Sequence, residues 1–226
     1  MRVVLRCVLA AAWSLAAAPV AACELALVLA VDVSGSVDPT EYGIQMNGLA
    51  EALGDPVISE YLVRGQAQLM LVQWTGSSRQ EASIPWTTID SFATLEGFAA
   101  QIVQTRRVWR NYATAVGEAL EFSLDALGEV GHCKRRLIDV SGDGVSNEGL
   151  EPRETHARVR AEGVTVNAIA IEESDPGLTV YFFENVIMGE GAFVVSAAGF
   201  LDYPEKIRKK LLREVAEQVS LLDSDL

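Results

Sequence analysis

The sequence predicts an α/β domain of three layers, with a central, mostly parallel sheet covered by helices on both faces. Two observations carry this expectation. Short β-branched or apolar runs alternate with helical patterns along the chain, an order that builds parallel sheets. The runs LALVLAV and VTVNAIAI are apolar almost throughout instead of at alternate positions, as strands buried on both faces are.

Residues 1–22, MRVVLRCVLAAAWSLAAAPVAA, carry Arg2 and Arg6, then an apolar stretch, then small residues ending at Ala22. That is the pattern of a secretory signal, so a single domain is expected over 23–226. No later segment offers about twenty unbroken apolar residues, so no transmembrane segment is expected in the mature protein. The first strand is read at Glu24–Val31. Asp38, Pro39 and Glu41 form an N-cap signature, and Tyr42, Met46, Leu49 and Leu53 make the apolar stripe of the helix that follows. Gln66–Trp74 is the next strand. The segment 79–86, after the turn TGSS, reads as an antiparallel edge strand in which Pro85 is tolerated.

Thr114 opens a helix with Val116, Leu120, Leu124 and Leu127 inward, and Arg136–Val140 is a further strand. A helix near 152–161 should end at Gly163. Strands follow at Val164–Ile171 and Ala192–Ser196. A last helix over 203–222 carries Ile207, Leu211, Val215, Val219 and Leu222.

Charge narrows the partners. Two of the 18 Lys and Arg and none of the 31 Asp and Glu lie in 1–22, so the remainder carries a formal −15. Such a surface repels nucleic acid and anionic lipid and attracts cations.

The first strand breaks off into Asp32-Val33-Ser34-Gly35-Ser36, three oxygen-bearing side chains at alternate positions. On an extended strand these would stand about 6.6 Å apart. Mg²⁺ at about 2.1 Å from its ligands needs neighbouring oxygens about 3 Å apart, so a site requires the chain to curl, and Gly35 permits that. Asp143 similarly ends a second apolar run, between Gly142 and Gly144, and Thr114 stands at a helix start. Two carboxylates and three hydroxyls are hard ligands suited to Mg²⁺, Mn²⁺ or Ca²⁺. Taken singly, the serines read equally as turn formers, whereas Thr114 alone reads first as an N-cap and Asp143-Gly144 alone first as a turn pair.

Together, D-x-S-x-S at 32–36, Thr114 in a T-x-x-G-x-A-L setting and Asp143-Gly144 resemble the metal-ion-dependent adhesion site of von Willebrand factor type A domains. LAVDVSGSVD with RRLIDVSGDGVSN is similar to a secreted bacterial branch of that superfamily of uncharacterised function. The resemblance implies a six-stranded, Rossmann-like sheet of order 3-2-1-4-5-6 with one antiparallel edge strand. It implies that Ser34 and Ser36 bind the cation directly, Thr114 directly or through water, and Asp32 and Asp143 largely through water. An open coordination position would then accept an acidic side chain from a protein partner. Ala113 departs from the family, where a glycine often precedes the threonine. The resemblance also implies coupling between the metal loops and the helix at 203–222.

Other chemistry fits less well. A serine nucleophile needs a base, and the chain has only His132 and His156. An aspartyl phosphotransferase wants a second carboxylate where Ser34 stands, and there is no phosphate loop. No enzymatic activity is expected. Arg107, Trp109 and Arg110 are a basic, aromatic rim beside Thr114 suited to a partner, with pairing to local carboxylates as the alternative. Glu172, Glu173 and Asp175 read as a solvated acidic loop in preference to a second cation site. Asp139, out of place in an apolar strand, should pair with an arginine or meet a helix end.

Cys23 lies nine residues before Asp32, and Cys133 ten before Asp143. If those aspartates top neighbouring parallel strands, about 4.8 Å apart, the cysteines approach each other at the bottom and can form a disulfide. The alternative is lipidation of Cys23, because VAAC resembles a lipoprotein cleavage motif. The expected function is an exported, divalent-cation-dependent binding or adhesion module, periplasmic or secreted. A scaffold domain with a purely structural cation is the alternative reading, and an unrecognised hydrolase is a more distant one.

Overall fold

A computed structural model describes residues 23–222, with side chains to Val215 in the last helix. The expected export signal and the inward positions Val219 and Leu222 lie outside what is described. The elements are β1 (Leu25–Asp32), α1 (Pro39–Leu53), α2 (Pro56–Arg64), β2 (Gln68–Trp74), β3 (Gln80–Thr88), α3 (Phe92–Gln104), α4 (Val116–Glu129), β4 (Arg135–Gly142), α5 (His156–Glu162), β5 (Thr165–Ile171), α6 (Leu178–Asn185), β6 (Val194–Ala197) and α7 (Tyr203–Leu222). They form one sheet of order β3-β2-β1-β4-β5-β6, in which only β2 and β3 pair antiparallel.

Every residue of β1 is buried, which explains its apolar run. Leu25, Leu27, Leu29 and Val31 pack with α1, α2, α3 and α7, while Ala26, Val28 and Ala30 face α4, α5 and α6. β1 is central, so its carboxyl end and that of β4 meet where the chain changes direction, the position at which open α/β sheets gather ligands.

The expected capping box opens α1: Asp38 Oδ1 accepts from Thr40 N (2.6 Å) and Glu41 N (2.8 Å), and Glu41 Oε2 accepts from Asp38 N (2.6 Å). β3 carries Pro85 at a register shift opposite β2. Gln66 has φ +44° in the turn after α2, so β2 starts two residues later than its apolar run suggests. Three helices, α2, α3 and α6, add to those expected. Asp55 before Pro56 caps α2 and Ser91 caps α3, signals present in the sequence. α6 follows Gly177 with no side-chain cap. The helix expected near 152–161 begins as a 3-10 turn over Pro152–Thr155 before α5, and ends at Gly163 with φ +62°.

At the amino edge of the sheet, Cys23 and Cys133 form a disulfide across 110 residues. Lys134 N donates to Cys23 O (3.0 Å), continuing the β1–β4 pairing to the bridge. His132 Nε2 lies 4.0 Å from Cys133 Sγ, but the bridge consumes the thiolates that a soft metal would need. The bridge also uses the Cys23 sulfur that a lipid anchor would need.

Candidate metal centre

β1 ends at Asp32 and the chain then curls, as the spacing argument required. Asp32 Oδ1 accepts from Ser34 N (2.7 Å), which bends the strand end back on itself. The hydroxyls of Ser34 and Ser36 thereby come within 3.1 Å of each other, far from the separation along an extended strand. Ser36 Oγ donates to Asp143 Oδ1 at 2.7 Å, joining the β1 loop to the β4 loop. Asp32, Ser34, Thr114 and Asp143 are buried, whereas Gly35 and Ser36 are exposed, so the cluster opens to solvent on one side.

Two glycines border the approach, and of these Gly142 is the tight one. A side-chain carbon on Gly142 would stand 3.3 Å from Asp32 Oδ2, and one on Gly144 would stand 3.7 Å from Thr114 Oγ1. Asp32 and Thr114 therefore both face the Gly142–Gly144 turn. A third loop leans on the first: Gly35 N donates to Tyr112 O (2.8 Å), and a carbon on Gly35 would meet Asn111 and Tyr112 backbone at 3.2 Å.

Thr114 differs from its sequence reading. α4 begins at Val116, and the threonine hydroxyl does not cap it; Val116 N donates to Ser146 Oγ (3.2 Å) instead. Thr114 is fastened through its backbone, donating to Asn147 Oδ1 (2.9 Å) and accepting from Asn147 N (2.8 Å). Thr75 holds the preceding Ala113 by its carbonyl (2.9 Å), so the loop is firm without the glycine that the resemblance leads one to look for. Nothing in the sequence marked Ser146 and Asn147 as supports, beyond their place three and four residues after Asp143.

The electrostatics favour a cation. Burial, reinforced by Asp143, pushes the Asp32 carboxyl up to about 8, and burial also raises Asp143. Asp32 Oδ2 is buried with no hydrogen-bond donor among the described residues. Hard oxygens 2.7–3.1 Å apart, with an orphaned carboxylate oxygen beside them, match the donor set and spacing of a small divalent cation.

The family model described as "protein of unknown function (DUF1194)" matches residues 22–219. The chain belongs to this family. No curated protein matches this DUF1194 chain by sequence. Among solved structures, it is similar to proximal thread matrix protein 1 from the mussel byssus (18% identity, TM-score 0.63, covering 86% of this chain and 47% of that one). Another crystal of that mussel protein carries a zinc-occupied MIDAS motif. It is similar to a von Willebrand factor type A protein from Catenulispora acidiphila (14%, TM-score 0.58, 85% and 43%). It is also similar to manganese-loaded TRAP protein from Plasmodium vivax (20%, TM-score 0.55, 81% and 70%). The DUF1194 chain thus has the von Willebrand factor type A fold, and it spans less than half the length of the first two of these structures.

The remaining candidates are placed differently from one another. Arg107 is turned inward: its Nη2 donates to Val33 O (3.0 Å) and Ser34 O (2.5 Å), clamping the loop that carries the serines. Trp109 packs against the core, and Arg110 alone of the three is exposed. Arg79 lies 3.9 Å over the Tyr112 ring on the same side, a basic-aromatic contact that the sequence reading missed. Glu172, Glu173 and Asp175 accept from the backbone N–H groups of Thr179, Phe200 and Gly177, so they close their own loops. His132 sits by the disulfide and His156 bonds Asn185 O (3.0 Å).

Proposed function

We propose that this protein is an exported binding module that uses a divalent cation to take up a carboxylate from a protein partner. The observation that carries the reading is the junction of Asp32, Ser34, Ser36 and Asp143 across two loops, with the Thr114 hydroxyl beside Gly144 and Asp32 Oδ2 buried without a partner among the described residues. Ser34 and Ser36 would hold the ion directly, Thr114 directly or through water, and Asp32 and Asp143 through water. Mg²⁺ is the expected ion, with Mn²⁺ or Ca²⁺ as substitutes; when bound, it supplies a Lewis-acidic position for an incoming carboxylate. The chain's own contribution is to orient the hydroxyls: Asp143 accepts the Ser36 proton, so the serine lone pairs stay free to face the ion.

Export is supported by the disulfide, which persists in oxidising compartments, and by the apolar leader in the sequence. No helix among the described residues is long and apolar enough to cross a membrane.

The test is retention on a polyglutamate-coated surface in Mg²⁺ against EDTA, read alongside thermal stability in both buffers. The adhesion reading predicts a stability gain and EDTA-sensitive retention, both lost in Ser34→Ala. A scaffold reading, favoured by how firmly Thr75, Asn147 and Arg107 already tie the loops, predicts the stability gain without retention. No gain at millimolar cation defeats both.

A further inference from the structure

Asp139 does not pair with an arginine. It lies in mid-β4, flanked by Leu29 of β1 and Asn167 of β5, and faces α7, where Lys210 and Glu214 come down onto the sheet. Lys210 is wholly buried, and Asp139, Glu214 and Asn167 are each at most 2% exposed. Lys210 Nζ is 2.6 Å from Asp139 Oδ1 and 2.6 Å from Glu214 Oε1. Asn167 Nδ2 donates to the same Glu214 oxygen (2.8 Å), and the Phe193 ring centre lies 5.7 Å from Nζ. Three formal charges thus stand in an apolar interior with no water-facing side, a costly arrangement for groups that remain ionic.

The contact with Asp139 is close and one-sided. Oδ1 is 2.6 Å from the amine, and Oδ2 is buried with no hydrogen bond from any described residue. An amine packed this tightly against a carboxyl group, with both shut away from water, is within reach of the carboxyl carbon.

We propose that Lys210 and Asp139 are the partners of an intramolecular isopeptide bond that staples α7 to β4, with Glu214 as the proton acceptor. The Lys210 proton passes by way of Glu214 to Asp139, leaving a neutral amine, a protonated Asp139 and Glu214 again ionised. The Nζ lone pair adds to Asp139 Cγ, the C–N bond forms, the C–OH bond breaks, and the hydroxyl leaves with a proton as one water. No oxidant or cofactor is needed. Burial, which raises the Asp139 carboxyl to about 7, favours the acid form that the addition requires, whereas the two carboxylates hold the Lys210 proton on; Glu214 at 2.6 Å is the base in reach to remove it. Holding the two groups in contact supplies the proximity that makes such a condensation fast. The product replaces an ion pair by an amide whose N–H can donate to Glu214, so the charge left behind keeps two donors, that N–H and Asn167.

Mass spectrometry of the tryptic digest of the purified full chain decides this, because the readout does not depend on how the amino terminus is processed. The expected product is a branched peptide joining Leu137–Arg153 to Lys210–Arg213, one water lighter than its two arms, with the link at Asp139 and Lys210. Recovery of free Leu137–Arg153 with normal cleavage after Lys210 overturns the proposal, as does a link one ammonia lighter through Asn167. In Glu214→Gln, whose side chain keeps the shape but not the base, the branched peptide should be lost. Its undiminished yield would overturn the role given to Glu214.

Discussion

Removing the disulfide should weaken the fold by an amount that the chain separation sets. The bridge joins Cys23 to Cys133 across 110 residues, so in the unfolded state it forbids a large set of conformations. Loop-closure entropy for that length amounts to about 5 kcal/mol at 25 °C. For a domain of roughly 200 residues, each kcal/mol moves the midpoint by about 2–4 °C, so the double variant Cys23→Ala/Cys133→Ala should melt about 10–20 °C lower. Both sulfurs are buried in the cluster formed with α4, and alanine leaves a small void there, which adds to the loss. Guanidinium unfolding of wild type, with and without reductant, beside the double variant provides the measurement. Reduction and substitution should coincide within about 1 kcal/mol. A reduced protein as stable as the oxidised one would refute the pairing.

Further outcomes follow from the site and its supports. Gly117→Ala places a carbon 2.1 Å from Leu150 O, a backbone atom that cannot step aside, so denaturation should show a loss of about 1–3 kcal/mol. Arg107→Lys keeps the charge but forfeits the fork that holds Val33 O and Ser34 O; a loss of about 1–2 kcal/mol and a weaker Mn²⁺ response are expected, and an unchanged response would return Arg107 to the partner rim. For the metal-free protein, the raised Asp32 and Asp143 carboxyls bind protons more tightly folded than unfolded. Their contribution is therefore fully present below about pH 4 and is lost as pH rises toward 8, and saturating Mg²⁺ should flatten or reverse that slope in chemical denaturation.

The site was legible in the sequence because its chemistry sits in short motifs at strand ends. Asp32, Ser34, Ser36 and Asp143 needed only a curl after Asp32 and the small Gly142 beside its carboxylate to come together. The supports were not legible, since Arg107, Thr75 and Asn147 act on carbonyls and amides that any residue would present. The strand order followed from the resemblance, whereas α2 and α3 were missed although the sequence offers both their caps, Asp55 and Ser91, and the apolar positions Ile58, Leu62, Leu95, Phe98 and Ile102. In α7 the stripe Ile207, Leu211, Val215 was read as purely apolar. Helical spacing places Lys210 and Glu214 on that same face, and their polarity hid a contact that only Asp139, stranded in an apolar strand, hinted at.

In the proposed site, side chains of Asp32, Ser34, Ser36, Thr114 and Asp143 hold one divalent cation, directly or through water. Isothermal calorimetry of Mn²⁺ into EDTA-stripped, dialysed protein measures this, supported by the Mn²⁺ electron paramagnetic resonance signal of free against bound ion. Binding of one ion per chain is predicted, abolished in Asp143→Ala and in Ser34→Ala while circular dichroism and cooperative melting show that both variants remain folded with the disulfide intact. No saturable heat with wild type, or equal binding by both variants, would rule the cation site out.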